Sequence, residues 1–321
     1  MRGNEDHVRP LDNFLDQQAP SLRSAVFVGI CPVLESPFPF PSLNQLNLDL
    51  LENMGPIHMN SLFGLCSSCP RLQKIYIKIS CEIVQDVPLD QITPMNSLVE
   101  LEYTCDTPSQ FLPFLELPLL KQLTVSSPWY PGTVDKLADL LPRSGHDLLS
   151  GATTVSYLDD RNVQLVELSG EGVNASLTMS DNSRAGRPPP EWSLDETYIP
   201  FGKVEALEFE GYRIPPDFSV DLLQNVKKLR VTPWAEPFLT EKAFQLLYPD
   251  PGTDVPCPSL REIEYTPLSP TGPAVESLVS LVKARKQAER QLELVCVRGT
   301  VELDLDLKEE LREHVGELRV R

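Results

Sequence analysis

One short pattern recurs along this chain and limits its fold more than any other feature: proline, any residue, apolar, two of any kind, apolar, any, apolar. It occurs at Pro20 (Leu22, Ala25, Phe27), Pro41 (Leu43, Leu46, Leu48) and Pro70 (Leu72, Ile75, Ile77). Further copies start at Pro118 (Leu120, Leu123, Val125) and Pro258 (Leu260, Ile263, Tyr265). Three more lack the proline: Leu98/Leu101/Tyr103, Val204/Leu207/Phe209 and Val226/Leu229/Val231. The triad alone stands only about twofold above chance, so the spacing carries the argument. From Ala25 the steps to Leu46, Ile75, Leu101 and Leu123 are 21, 29, 26 and 22 residues, and Leu207 to Leu229 is again 22.

The last two apolar positions are two apart, so they share one side of a strand. The first turns the arriving chain into the core. Such a unit is too small to bury its own apolar face, and stacking the units buries it between neighbours. A period of 20–29 residues is that of leucine-rich repeats. The expectation is therefore an α/β fold: an irregular leucine-rich-repeat solenoid, a curved parallel sheet with outer helices.

Helical patterns fall between the strands: His58 to Ser68, Ser109 to Leu117, Thr133 to Leu141, and a stretch from Thr240, read as an N-cap, to Leu247. Three regions are expected. Residues 1–150 form an N-terminal repeat block. Residues 151–200 form an irregular β segment (Thr153–Leu158, Val163–Leu168, Ser176–Met179) and a partly mobile inserted loop around Arg187-Pro188-Pro189-Pro190. Residues 201–321 form a C-terminal block. Its helix over Val275 to Glu289 keeps Lys283, Arg285 and Lys286 outside the apolar stripe. A strand (Leu292–Val297), a capping helix (Leu305–Val315) and a closing strand (Leu318–Val320) follow.

Composition narrows the function. The 31 prolines are spread along the whole chain, which favours many short elements over long helices. With 46 acidic against 28 basic residues, the net charge of −18 disfavours nucleic acid and anionic membranes as partners. No apolar run is long enough to span a bilayer, and Met1 to Pro10 lacks the apolar core of a secretion signal, so a cytoplasmic or nuclear protein is expected. Seven irregularly spaced cysteines suit free thiols in a reducing compartment. Without a secretion signal, the Asn174-Ala175-Ser176 sequon reads as accidental.

Sites for chemistry are not evident. Cys66-Ser-Ser-Cys69 lacks a second ligand pair, so buried cysteines are expected there in place of zinc. Gly170-Glu-Gly172 reads as a turn, and His7, His58, His146 and His314 are scattered. No nucleophile elbow or phosphate-binding glycine loop is present, so no cofactor, metal or catalytic residue is assigned, and a hydrolase is the least favoured reading. The outward strand positions are the more useful constellation: Gln45, Asn47 and Asp49, then Lys74, Tyr76 and Lys78, then Glu100, Glu102 and Thr104, with Gln122, Thr124 and Ser126 beside them. Later units contribute Glu208 and Glu210, Lys228 and Arg230, Glu262 and Glu264. The charge changes sign from unit to unit, as expected of a concave face that receives a protein partner; solvated strands with cross-strand ion pairs are the plainer alternative.

The Pro-Ser-Leu-x-x-Leu-x-Leu pattern, the irregular repeat lengths, Cys69-Pro70-Arg71-Leu72 and Pro258-Ser-Leu260-Arg-Glu-Ile263 resemble the repeat region of fungal F-box proteins. The ending is similar too: a helix with Lys283, Ala284 and Arg285, a strand, a short acidic helix and a valine-rich strand. The resemblance covers roughly residues 10 to 321. It implies the substrate-recognition part of a ubiquitin ligase or a truncated relative, the alternative being a repeat scaffold with no ligase link. Two features depart from the family. The helical F-box is not visible, so binding to the ligase adaptor is expected only of a longer form that carries one. Ile30 and Ser80 stand where the repeats' asparagine would be.

Overall fold

A computed structural model describes residues 21–29, 40–88, 91–106, 111–129, 141–142, 149–160, 163–181, 201–213, 223–235, 238–249, 255–299 and 303–321. The fold is α/β, with a large, mostly parallel sheet of 13 strands, few helices and no closed barrel among the described residues. The chain divides into two compact units, Met1–Leu148 with Asn174–Pro190, and Leu149–Val173 with Glu191–Arg321.

The first stretch of chain carries β1 (Ser24–Val28), β2 (Gln45–Leu50), β3 (Ile57–His58), α1 (Met59–Ser67), β4 (Lys74–Ile79), β5 (Ile83–Val84), β6 (Thr93–Pro94), β7 (Glu100–Cys105), β8 (Leu115–Glu116) and β9 (Gln122–Trp129). Three longer strands follow, β10 (Ala152–Asp160), β11 (Val163–Gly170) and β12 (Val173–Asp181). The remainder holds β13 (Ala206–Gly211), β14 (Lys228–Pro233), α2 (Phe238–Leu246), β15 (Glu262–Tyr265), α3 (Pro273–Gln287), β16 (Leu294–Val297), α4 (Leu305–His314) and β17 (Glu317–Val320).

In the first unit the strand order is β1-β2-β4-β7-β9-β12, all parallel. The registers align the repeated apolar positions in columns. Leu46, Ile75, Leu101 and Leu123 form one, and Leu48, Ile77, Tyr103 and Val125 the next. Every one of these is buried. Each such side chain contributes roughly 1.5–3 kcal/mol. Behind them Phe63 of α1 stacks on Phe111 at 5.2 Å, and Phe111 meets Tyr103 at 5.9 Å. Short parallel pairs, β3 with β5 and β6 with β8, lie outside the main sheet.

The second unit runs β11-β10-β13-β14-β15-β16-β17, with β10 and β11 antiparallel and the rest parallel. Its columns are Val155, Leu207, Leu229, Ile263 and Val295, and Tyr157, Phe209, Val231, Tyr265 and Val297. Helix α2 packs on β14 and α3, and α3 on α4. Gly211 (φ 115°) lets β13 close on β10, since a Cβ there would lie 2.0 Å from the Asp159 carbonyl oxygen.

The proline of the recurrent pattern has a local reason. The N–H of the first apolar residue donates to the carbonyl three residues earlier: Leu43 to Phe40, Leu72 to Cys69, Leu98 to Met95, Leu120 to Leu117, Val226 to Leu223 and Leu260 to Cys257. Each is a β-turn, and the proline of four of them, Pro41, Pro70, Pro118 and Pro258, occupies its second position, where a fixed φ near −65° is favoured. The turn's first residue is buried in all six. The carbonyl just after the first apolar residue then accepts two N–H groups from the following unit. Asn44 O accepts from Gln73 and Lys74, and Glu205 O from Lys227 and Lys228.

Several local expectations change. The helix expected over Ser109 to Leu117 is a short 3-10 turn at Leu112–Phe114 followed by β8, because Pro113 cannot extend a helix. Thr240 is buried inside α2 and does not cap it. Arg285, expected outside the stripe of α3, is fully buried, and its guanidinium donates to the Pro256 and Cys257 carbonyls at 2.9 and 3.0 Å. The segment 152–181 forms three long strands with a register shift between Ala152 and Thr154; β10 and β11 belong to the second unit and most of β12 to the first. Most of the helix expected over 133–141, the proline-rich loop and Ile30 lie outside the described residues.

Candidate functional site

Strand alternation turns every residue beside a buried column to the opposite face of its sheet. In the first unit that face is built of three rows: Gln45, Lys74, Glu100 and Gln122; Asn47, Tyr76, Glu102 and Thr124; Asp49, Lys78, Thr104 and Ser126. Lys74 pairs with Glu100 directly across from it. Tyr76, Lys78 and Glu102 have no hydrogen-bond or ion-pair partner among the described residues. Asp49 stands across from Lys78, yet its Oδ1 is buried with no hydrogen bond and no ion pair joins the two. The face thus centres on a half-buried phenol flanked by charges that have no ion pair among the described residues.

The second unit differs. Glu208 stands across from Arg230, Lys228 from Glu262, and Arg230 from Glu264. Glu264 is 5% exposed and is a correction to its expected place on an open face. Its carboxylate is ringed by Arg298 Nε at 3.0 Å, Arg230 Nε at 3.2 Å and Lys228 Nζ at 3.7 Å. Oε1 makes the two arginine contacts without the alignment of a hydrogen bond, and Lys228 meets Oε2. Arg230 also approaches Glu208 at 3.8 Å. Glu210 accepts from Trp234 Nε1 at 3.1 Å. Glu262 makes no ion pair among the described residues. Here the alternating charges mostly satisfy one another, as the plainer alternative expects.

Unit 2 holds one further buried charge that the sequence pattern hides. Asp159 is fully buried at the end of β10, and Arg213 binds it through Nε at 2.9 Å and NH2 at 3.4 Å. The signal available in sequence, an acid at an inward strand position, is legible only once the strand's phase is known.

Cys66 and Cys69 are buried at the end of α1 and in the turn after it. Burial pushes the Cys66 thiol up to about 12, with Cys69 adding to it, and the Cys69 thiol up to about 11. Neither is a ready thiolate, which suits packing rather than chemistry. Among the described residues no group of His, Cys, Asp and Glu side chains could hold a metal ion, and no helix is long and apolar enough to cross a membrane. His58 is the N-cap residue of α1. Its Nδ1 lies 3.1 Å from Asp86 Oδ2, and Asp86 Oδ1 accepts from Asn60 N at 3.0 Å, capping α1 from a distant part of the chain. Burial raises the Asp86 pKa, but hydrogen bonds from the Asn60 and Asp86 backbones, the nearby His58 and the Asn60 side chain outweigh it and hold the carboxyl below its ordinary range.

No protein-family model matches the sequence, and no curated protein is similar to it.

Proposed function

We propose that this chain is a protein-binding module made of irregular leucine-rich repeats stacked as a solenoid, and that it receives its partner on the outward strand face around Tyr76, Lys78 and Glu102. The recurrent turn and strand, with apolar columns in register, support the repeat reading. One observation carries the binding reading: among the described residues Lys78 and Glu102 have no ion pair and Asp49 Oδ1 no hydrogen bond, at strand positions neighbouring Tyr76. Aromatic anchors beside unsatisfied charges are what a protein interface uses, since a partner supplies the missing hydrogen bonds. The paired charges of the second unit contribute less, because a partner would have to displace internal ion pairs. By its resemblance to the repeat region of fungal F-box proteins, the partner is a substrate of a ubiquitin ligase. The six cysteines among the described residues are all buried, which is compatible with a cytoplasmic or nuclear setting.

Affinity enrichment followed by mass spectrometry tests this. Lys78→Glu with Glu102→Lys is expected to abolish partner recovery while the melting temperature stays at the wild-type value. Unchanged recovery from that variant, and from one with Glu208 and Glu210 reversed, contradicts it. Ligase subunits among the recovered proteins support the ligase role, whereas other partners alone assign the chain to scaffolding.

A further inference from the structure

Two rows of side chains flank the start of each strand. The first apolar residue of the triads at Leu43, Leu72 and Leu98 is buried, and the residues immediately before and after it are partly or fully exposed. In three successive steps of the first unit these rows bring together Arg23, Ser42, Asn44, Arg71, Gln73 and Ser97 around a cleft of about 300 Å³. Among the described residues the lining contains two guanidinium groups, two carboxamides and two hydroxyls, and no carboxylate. In a chain of 46 acidic and 28 basic residues this is a local inversion of charge.

The matching corner of the second unit serves as an internal control. There the same row reads Glu205, Lys227, Arg261 and Glu293, and the charges pair: Lys227 with Glu205 at 2.7 Å, and Arg261 with Glu293 at 3.0 Å. In the first unit neither Arg23 nor Arg71 has a hydrogen-bond or ion-pair partner among the described residues, and the side chains of Ser42, Asn44 and Gln73 are likewise unengaged. Ser97 Oγ alone is committed, donating to Pro70 O at 2.8 Å.

The geometry points to an oxyanion-binding cleft at this corner, one that takes a phosphoryl group. Arginine presents a planar fork of donors that matches two oxygens of a tetrahedral anion, and two such forks with amide and hydroxyl donors between them match the remaining oxygens. The neighbouring steps set the cleft's end, since Val99 and Leu119 occupy the next positions of the two rows and bring no donor side chain. This site lies apart from Tyr76, Lys78 and Glu102, and does not depend on their role.

The test is isothermal titration calorimetry of the whole chain at constant ionic strength, with inorganic phosphate in one arm, phosphoserine amide in a second and serine amide in a third. Saturable binding of phosphate or phosphoserine amide but not of serine amide is expected, weakened about tenfold or more by Arg23→Gln and again by Arg71→Gln, and unchanged by Lys227→Gln. Tighter binding of phosphoserine amide than of phosphate assigns the group to a phosphorylated molecule, and equal binding assigns it to free phosphate; either supports the cleft. Heat that tracks ionic strength alone, or phosphate binding equal in wild type and Arg23→Gln/Arg71→Gln, overturns it. Both arginines are exposed, so circular dichroism of the variants is expected to match wild type.

Discussion

Glu264 meets three cations and almost no water, and its neighbours differ from it in exposure. Arg230 and Arg298 keep 39% and 44% of their side-chain surface, so each can return to solvent if the carboxylate is lost. That places the cost of Glu264→Gln nearer a charged hydrogen bond than a fully buried ion pair, about 2 kcal/mol. Urea denaturation is expected to show that loss with an unchanged m-value; a change within about 0.5 kcal/mol would mean the three contacts contribute nothing net. Asp86 makes a pH prediction. Its folded pKa lies below the unfolded carboxylate value of about 3.9, so its stabilisation is present above that value and lost as pH falls through the folded pKa. Asp86→Asn is therefore expected to lower the melting temperature at pH 7 and to narrow the gap to wild type at pH 3; a gap constant across that range contradicts the assignment. Residues of this kind were the least legible from sequence. Charge alone puts Arg285 outside its helix stripe, yet carbonyls of a distant turn take its donors. Burial lowers its pKa, and Arg290 adds to this while Cys257 opposes it.

At the scale of the element, the working piece is a β-turn followed by a short strand. The strands were legible because apolar residues two apart are needed to fill one column, and the prolines because a turn favours them at its second position. Of the turn's first residues only Cys69 is expected to be buried from sequence; the burial of Phe40, Met95, Leu117, Leu223 and Cys257 stays hidden, because these positions stand outside the periodic triad. The turn at Met95–Leu98 has Asn96 where four others have proline. Its N–H makes no backbone hydrogen bond among the described residues. Asn96→Pro should therefore stabilise the protein by about 0.4–1 kcal/mol through the unfolded chain. Thermal unfolding measures it, and destabilisation by more than about 1 kcal/mol would show that the turn is not equivalent to the others.

At the scale of the whole molecule, the same alternation yields two kinds of outward face. Strand phase could be read from the triads, but register could not, and register decides which charges meet. It sets Lys74 against Glu100 and Arg230 between Glu208 and Glu264, while Tyr76, Lys78 and Glu102 have no hydrogen-bond or ion-pair partner among the described residues. The outward positions are therefore legible in sequence, and the division of their charges into paired groups and groups without an ion pair among the described residues is not. Site-specific photo-crosslinking separates the two sides of the first unit most directly. With benzoylphenylalanine at position 76, irradiation in extract of the native cell is expected to give a discrete protein adduct, and the same probe at the exposed Ser67 of α1 none. Adducts at position 67 with none at position 76 would contradict binding on the strand face.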